Sequence, residues 1–394
     1  MEQEYSILVF MLKKNIYLDN HASTKIDTRV LKGMISIYNK YFGNPHSSSH
    51  QHGWIAESLI NKSRLKISNA IGSKKDEIFF TSGATESNNL VIKGIALKQN
   101  KKKHIITCVT EHKCILESCK FLEKIGFKVS YLKVNKYGHI DLNEFKKTIR
   151  PETFLVSIMI VNNEIGTIHP IKKIGRICKT KKILFHTDAS QALGKVNFNV
   201  KDLNIDLASF SSHKIYGPQG IGAIYLKKEL DLVIVPILSG GGQENGLRSG
   251  TLPTALCCAF GHAVELVVKE KDKNIKKIKK LKKIFLQTLK KEKINFFLNG
   301  KNVVDHNINI TFPDIDGDYL FSKLNDISLS SGSACGSGSG ETSYVLKEIG
   351  INKIYARSTL RIGIGKDNTK NDLIYCASKI SKIMQKFLLE KKTL

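Results

Sequence analysis

The segment DLASFSSHKIYGPQGIG, residues 206–222, runs from a strand-like stretch into a lysine, Lys214. Its first seven residues have the character of a buried strand, and the proline and glycines after the lysine end the regular structure. A lysine is rarely placed at the end of a central strand for structural reasons, because its ammonium group is costly to remove from water. A desolvated lysine there is a candidate for Schiff-base chemistry.

Further short apolar runs of this kind occur earlier and later in the chain, and amphipathic stretches separate several of them. Apolar strands that alternate with helices are typical of a mostly parallel sheet covered on both faces. The region after residue 265 differs, because a long helix comes first and strands, a Ser/Gly-rich segment and a final helix follow. We therefore predict an α/β protein with a large domain, 21–266, and a smaller α+β domain, 267–394, that includes 1–20. The seven strands predicted for the large domain are 77–82, 103–109, 128–134, 154–161, 182–188, 206–212 and 222–228.

The composition of the 394-residue chain argues against several classes of protein. No run approaches the ~18–20 apolar residues that a membrane-spanning helix needs. The N-terminal segment lacks the pattern of a signal or transit peptide, so we expect a cytoplasmic protein with no membrane partner. The eight cysteines form no C-x-x-C pair, so no intrinsic metal site is expected.

The formal net charge of +27 is compatible with nucleic-acid binding. However, only seven of the 62 basic residues are arginine, and the lysines are densest over 269–293. Apolar residues recur there every three or four positions, as in an amphipathic helix with a solvated lysine face. The solvated face is favoured, and a surface for nucleic acid or an acidic partner remains the alternative. The apolar stripe comprises Ile275, Ile278, Leu281, Phe285 and Leu289.

Polar clusters follow several predicted strands, at the edge where such sheets bind ligands. TSGATESNN, 81–89, places glycine and small hydroxyls before a helix, and the free N–H groups of a helix start bind phosphate. HTDASQ, 186–191, ends a strand with Asp188, a carboxylate that needs a cationic partner. With Lys214 these features describe a pyridoxal-phosphate (PLP) site, in which the lysine bonds the aldehyde and the aspartate pairs with the pyridinium nitrogen. His112, in TEHK, is suited to stacking on the ring or moving protons.

A second reactive group stands in SSGSACGSGSG, residues 330–340, where Cys335 has only Ser, Gly and one Ala around it. Such a stretch predicts a flexible loop that cannot fill a core. From this loop alone, an incidental cysteine in a linker and a reactive thiol are equally supported.

Together the motifs resemble the cysteine desulfurases of the NifS/IscS class, in the class-V aminotransferase family of fold-type I PLP enzymes. The resemblance covers nearly the whole chain. It implies the PLP-dependent transferase fold of type I and the conversion of L-cysteine to L-alanine, with transfer of the sulfur to an enzyme cysteine. It is carried by YLDNHAST, FGNPHSSSHQHGW, FTSGATESNN, TEHK, VNNEIG, HTDASQ, SFSSHKIYGPQGIG, GGGQENGLRSGT, SSGSAC and STLRIGIG.

The resemblance also implies roles for individual residues. Lys214 would carry PLP and remove the Cα proton, His112 would stack on the ring and act as acid or base, and Cys335 would take the sulfur as a persulfide. Asn163 and Arg361 would bind the substrate carboxylate. The implied cofactor-binding set is Asp188 and Gln191 at the ring, Ala84, Thr85, Ser211 and His213 at the phosphate, Thr251 from the partner subunit, and His112, Asn163 and Lys214.

The implied partners are L-cysteine, a second copy in a homodimer, and an iron–sulfur scaffold protein or a tRNA-thiolation carrier as sulfur acceptor. A transient iron–sulfur ligand role for Cys335 is a further expectation. The chain departs from the family pattern at Ser212, where glycine is usual, and at His21 and Ser23, which alter the usual form of the N-terminal motif. We also expect it to lack the longer acidic and aromatic tail by which IscS-type enzymes engage their scaffold protein. The alternatives are a selenocysteine lyase with the same chemistry and a basic nucleic-acid-binding protein on a degenerate PLP fold.

Overall fold

The computed structural model of the chain divides into two compact units. The larger unit comprises Ser23–Asn163 and Thr167–Asp272, and the smaller unit comprises the described residues 15–22, Glu164–Gly166 and 273–392. The residues described are 15–101, 103–228, 234–331 and 342–392. Cys335 therefore lies outside the described residues.

The described residues form strands and helices with these bounds. The strands are β1 (Ile16–Tyr17), β2 (Ile78–Thr81), β3 (His104–Cys108), β4 (Lys128–Leu132), β5 (Thr153–Ser157), β6 (Leu184–Asp188), β7 (Leu207–Ser211), β8 (Gly222–Leu226), β9 (Phe297–Leu298), β10 (Asn307–Thr311), β11 (Ile327–Ser328) and β12 (Thr359–Gly363). The helices are α1 (Thr28–Lys40), α2 (Gln51–Ile71), α3 (Ala84–Leu97), α4 (Lys113–Lys124), α5 (Leu142–Thr148), α6 (Ile171–Lys181), α7 (Thr254–Lys269), α8 (Lys271–Lys291), α9 (Gly317–Ser322), α10 (Tyr344–Glu348), α11 (Lys353–Arg357) and α12 (Lys370–Lys392).

The larger unit is built on a seven-stranded sheet of order β2-β8-β7-β6-β5-β3-β4. Each of its strands overlaps one of the seven predicted strands, and the predicted α/β fold class is confirmed. Only β8 runs antiparallel to its neighbours, β2 and β7. The connection between Ser211 and Gly222 is shorter than the dozen or more residues that a parallel crossover needs, so the chain must turn back there. This short connection carries Lys214.

The other six strands all point the same way, so their carboxyl ends share one edge of the sheet. The core beside them is apolar and closely packed. Side chains that are fully buried, such as Ile95 of α3, Ile115 of α4 and Leu155 of β5, lie in one cluster. Burial of each such side chain contributes about 1.5–3 kcal/mol, which fixes the strand ends in place.

The smaller unit contains an antiparallel sheet of order β12-β10-β9 and the parallel pair β1-β11. Its core includes the predicted stripe of α8: four of the five apolar residues are buried, and Ile275 is half-buried. No helix among the described residues is long and apolar enough to cross a membrane.

The division predicted from the sequence, at 266/267, falls inside α7, which continues to Lys269. The predicted large domain also differs at Glu164–Gly166, which group with the smaller unit. There the Glu164 carbonyl accepts hydrogen bonds from Nδ2 of Asn307 at 3.0 Å and of Asn309 at 3.1 Å. Gly166, with φ of +73°, passes so close to Asn307 that a Cβ would lie 2.7 Å from the Cβ of that residue.

Candidate active site

Asp188 and Lys214 lie at the ends of two adjacent strands. Asp188 is the last residue of β6, and Lys214 ends the 3₁₀ turn Ser212–Lys214 that directly follows β7. The Asp188 side chain is buried and accepts hydrogen bonds from Nδ2 of Asn88 at 2.7 Å and from the Ser190 N–H at 2.9 Å. These donors hold the carboxylate in one orientation at the strand end.

The turn that carries Lys214 is fixed by Thr24. Its Oγ1 donates to the carbonyl of His213 at 2.8 Å and accepts from the Tyr216 N–H at 2.7 Å. Tyr216 has a φ of +66°, a conformation that is uncommon for a bulky residue and needs support from its surroundings. Thr24 therefore sets the direction in which the chain leaves β7. Sequence reasoning assigned no role to Thr24, although it ends the quoted YLDNHAST motif.

The start of α3 is a suitable place for a phosphate. Gly83 precedes Ala84 and has no side chain to cap the helix, so the first-turn N–H groups of Ala84 and Thr85 receive no cap from it. A Cβ on Gly222 would lie 2.6 Å from the Cα of Gly83, because the start of β8 passes directly against this turn. Only glycine permits this close approach.

Ser211, the last residue of β7, is buried, and Nδ1 of His213 lies 3.1 Å from Oγ of Ser23. Burial lowers the pKa of His213 to about 4, and the charges of Lys214 and Lys195 act in the same direction. His213 is therefore a neutral imidazole at physiological pH. Between these residues, the buried Oγ of Ser212 has no hydrogen-bond partner among the described residues.

Gln191 is buried, and its Oε1 accepts a hydrogen bond from Nζ of Lys195. This contact orients the side-chain amide so that Nε2 is directed away from the lysine. Lys195 also brings a second positive charge near His213, as its effect on the pKa of that histidine shows. Sequence reasoning missed Lys195, since its only signal was a position four residues after Gln191.

His112 caps the N-terminus of α4, where its Nδ1 accepts from the Cys114 N–H at 3.3 Å. Burial lowers its pKa, and the charges of Lys214 and Lys113 lower it further while that of Asp188 opposes them. The ring is therefore predominantly neutral at physiological pH.

Glu111, the residue before His112, was also missed. It is completely buried, and its Oε1 accepts from the Met159 N–H at 2.7 Å. Burial raises its pKa well above the usual range, with a further contribution from the charge of Asp188. The carboxyl group ties the segment after β3 to the segment after β5.

The other predicted site residues, Asn163, Thr251 and Arg361, differ from one another in burial and in the unit to which they belong. Asn163 is half-buried and Thr251 is exposed, both in the larger unit. Arg361 belongs to the smaller unit, where it is 2% exposed and its Nη2 lies 2.8 Å from Oδ1 of Asp19. Ser330, at the beginning of the Ser/Gly-rich segment, also donates to Oδ1 of Asp19, at 3.3 Å.

Comparison with known proteins gives one consistent result. The model of the aminotransferase class-V family matches residues 16–375. The chain is 46% identical to cysteine desulfurase IscS of Rickettsia massiliae, over 94% of this chain and 92% of that protein. Among solved structures, a NifS-like protein has a TM-score of 0.87 and 37% identity, covering 94% of this chain and 99% of that one. SspA in complex with cysteine has a TM-score of 0.78 and 39% identity, covering 90% and 100%. The chain therefore belongs to the class-V aminotransferase family and, within it, to the cysteine desulfurases of the NifS and IscS type.

Proposed function

We propose that this cysteine desulfurase holds PLP on Lys214 and passes the sulfur of L-cysteine to Cys335, for delivery to an iron–sulfur scaffold or another acceptor. Its family depends on PLP. The observation that carries the proposal is the placement of Asp188 and Lys214 at the ends of adjacent strands.

The residues present fit the cofactor. The start of α3 has no side-chain cap from the described part of the chain and offers its N–H groups to the phosphate, and glycine at 222 lets β8 pack directly against the Gly83 turn. The Asp188 carboxylate is oriented by hydrogen bonds from Asn88 and Ser190, and a carboxylate in this position would keep the pyridine nitrogen of the cofactor protonated. Gln191, with its amide fixed by Lys195, adds a donor at the ring. When bound, PLP supplies an electron sink that stabilises negative charge at Cα of the amino acid.

Different side chains of the protein are proposed to carry out the separate steps of the reaction. Nζ of Lys214 would hold PLP through its aldehyde carbon, and the same amine would take the proton from Cα of the substrate. His112 exchanges a proton with the substrate thiol. The Cys335 thiolate attacks the substrate sulfur, so that an S–S bond forms while the C–S bond breaks, and protonation of the remaining carbon skeleton gives alanine. Asn163 and Arg361 bind the substrate carboxylate.

The other thiols support Cys335 as the carrier. Burial raises the pKa of Cys258, and it raises that of Cys114 and of Cys376 to about 12. The thiolate is the reacting form, so these cysteines are poor nucleophiles at neutral pH. The other described cysteines for which burial likewise raises the pKa are Cys119, Cys178 and Cys257.

We expect the working form to be a homodimer in which Thr251 reaches the phosphate held by the partner subunit. Large apolar side chains are exposed on α1, on α2 and between them, including Tyr38, Phe42 and Trp54, and such groups mark interaction surfaces when they are contiguous. Trp54→Glu should therefore shift the protein toward monomer and reduce alanine release in parallel, as measured by sedimentation velocity and turnover. Phe121→Glu, at an exposed position on α4, is the control and should stay dimeric. A fully active monomer would contradict the role of Thr251.

The exposed lysines of α8 are a candidate docking surface for an acidic sulfur acceptor. Lys276 and Lys280 are exposed, opposite the buried stripe. Exposed charges are screened beyond a Debye length of about 8–10 Å, so affinity for an acidic scaffold should fall as salt rises. The double variant Lys276→Glu and Lys280→Glu should bind the acidic scaffold more weakly than wild type does. The control is the double variant Lys172→Glu and Lys179→Glu on α6, which should bind the scaffold more tightly than the α8 variant. Scaffold affinity that does not change with salt would exclude this surface.

A further inference from the structure

Cys114, in the first turn of α4, connects two parts of the candidate active site. Its Sγ lies 3.0 Å from Nδ1 of His112 and 3.2 Å from Nδ2 of Asn88. The same amide nitrogen of Asn88 donates to Oδ2 of Asp188 at 2.7 Å. The thiol therefore stands between the imidazole and the amide that orients the aspartate, and all four residues belong to the larger unit.

The backbone decides which group donates in this cluster. The Cys114 N–H points to Nδ1 of His112 at 3.3 Å, so Nδ1 must present its lone pair and the ring proton is on Nε2. The Cys114 S–H then donates to Nδ1, while the sulfur accepts from Asn88. Burial, aided by the charge of Asp188, raises the pKa of Cys114 to about 12, so the sulfur keeps the proton that this bond requires.

We propose that Cys114 is a positioning residue for the desulfurase reaction: its S–H donates to Nδ1 of His112 and, together with the backbone N–H of Cys114, stabilises the neutral Nε2–H form of the ring. The inference rests on the proposed role of His112 as the group that exchanges a proton with the substrate. The Cys114 thiol does not react; it adds a second donor to Nδ1 and so stabilises the neutral ring in the tautomer that the backbone N–H already favours. This role follows from the contacts of its sulfur with His112 and Asn88.

The charged groups around His112 shift the pKa of its ring in opposite directions. The carboxylate of Asp188, on β6, favours the protonated ring, whereas Lys214, after β7, and Lys113, on α4, disfavour it. Glu111, in the segment after β3, is completely buried, and burial raises its pKa well above the usual range. Removal of the S–H donor leaves these groups in place and removes one interaction that favours the neutral ring, so the pKa of His112 should rise.

The test compares Cys114→Ala, Cys114→Ser and a matched control, Cys258→Ala, as PLP-loaded holoenzymes. Cys258 is also a half-buried helix cysteine, but it lies on α7. Alanine release from L-cysteine is measured from about pH 6 to pH 9, with kcat and KM determined separately. Retention of PLP and thermal unfolding show that each variant is folded, and titration of the visible absorbance of the bound cofactor gives a readout that does not depend on turnover.

For Cys114→Ala we expect kcat to fall about two- to tenfold near neutral pH with little change in KM, as for loss of one hydrogen bond. The acidic limb of the kcat/KM profile should move to higher pH by about half a unit to one unit, since the neutral ring is the active form. The absorbance titration should move in the same direction. Cys114→Ser should restore the wild-type limb, because its hydroxyl donates to the same nitrogen, and Cys258→Ala should match wild type.

The inference is overturned if wild type is active and Cys114→Ala leaves the pH limb and kcat unchanged. It is also overturned if the serine variant is as impaired as the alanine variant, or if Cys258→Ala shifts the limb equally. A different result, wild-type holoenzyme that releases no alanine, would refute the proposed function itself.

Discussion

Replacement of Lys214 by alanine should reduce alanine release from L-cysteine by at least about a thousandfold. The side chain is proposed to act twice, as the covalent attachment of PLP and as the base at Cα, and a positioned general base alone contributes about 10²–10⁴ in rate. Lys214 is half-buried at the end of a turn that is held by Thr24 through backbone and side-chain hydrogen bonds. The fold should therefore survive the loss of the ammonium group. Turnover, visible absorbance of the protein and thermal unfolding measure the three consequences.

Two further variants separate chemistry from charge. Lys214→Arg keeps a positive charge but cannot bond the aldehyde, so it should be as inactive as the alanine variant. Lys227→Ala removes an exposed lysine that follows β8, where its Nζ lies 3.7 Å from Oδ1 of Asp206, and should leave turnover near wild type. Release of alanine by Lys214→Ala at an appreciable rate would show that another group carries the cofactor.

Replacement of Cys335 by serine should eliminate sulfur transfer while PLP and L-cysteine still bind. Serine is close to cysteine in volume, but its hydroxyl is not a nucleophile toward sulfur at neutral pH, whereas a thiolate is. The buried cysteines cannot substitute readily, since the pKa of Cys376, for example, is raised to about 12 by burial. We therefore expect no labelled persulfide after single turnover with ³⁵S-labelled L-cysteine, and a loss of sulfur transfer of at least about 10³-fold.

The matched control is Cys258→Ser, which removes a half-buried thiol on α7 and should form persulfide as wild type does. The absorbance change on addition of L-cysteine should persist in the Cys335 variant, because binding of the amine does not use this thiol. Transferable persulfide on Cys335→Ser would assign the carrier role to another cysteine.

Much of the fold could be predicted from the sequence because the signals are local. Several strands of the large sheet, such as β2, β5 and β8, are short and largely apolar runs, and burial on both faces favours such runs. The carboxyl ends of parallel strands share an edge, so Asp188 and Lys214 could be assigned to one site from the sequence. Helix α8 was likewise predictable, because Ile278, Leu281 and Phe285 recur every three or four residues and so lie on one buried face of a helix.

The tertiary structure alone decided which side chains meet. Asn88 contacts Cys114 across 26 residues and Asp188 across 100 residues, and nothing in the local pattern of any of them predicts the contact. The same holds for the grouping of Glu164–Gly166 with the smaller unit, which depends on hydrogen bonds from residues near 307. The physical reason for this difference is that apolar periodicity, which predicts strands and helices, is a property of residues that are neighbours in the sequence. Hydrogen-bond partners and raised or lowered pKa values arise only after packing has removed water and brought distant segments together.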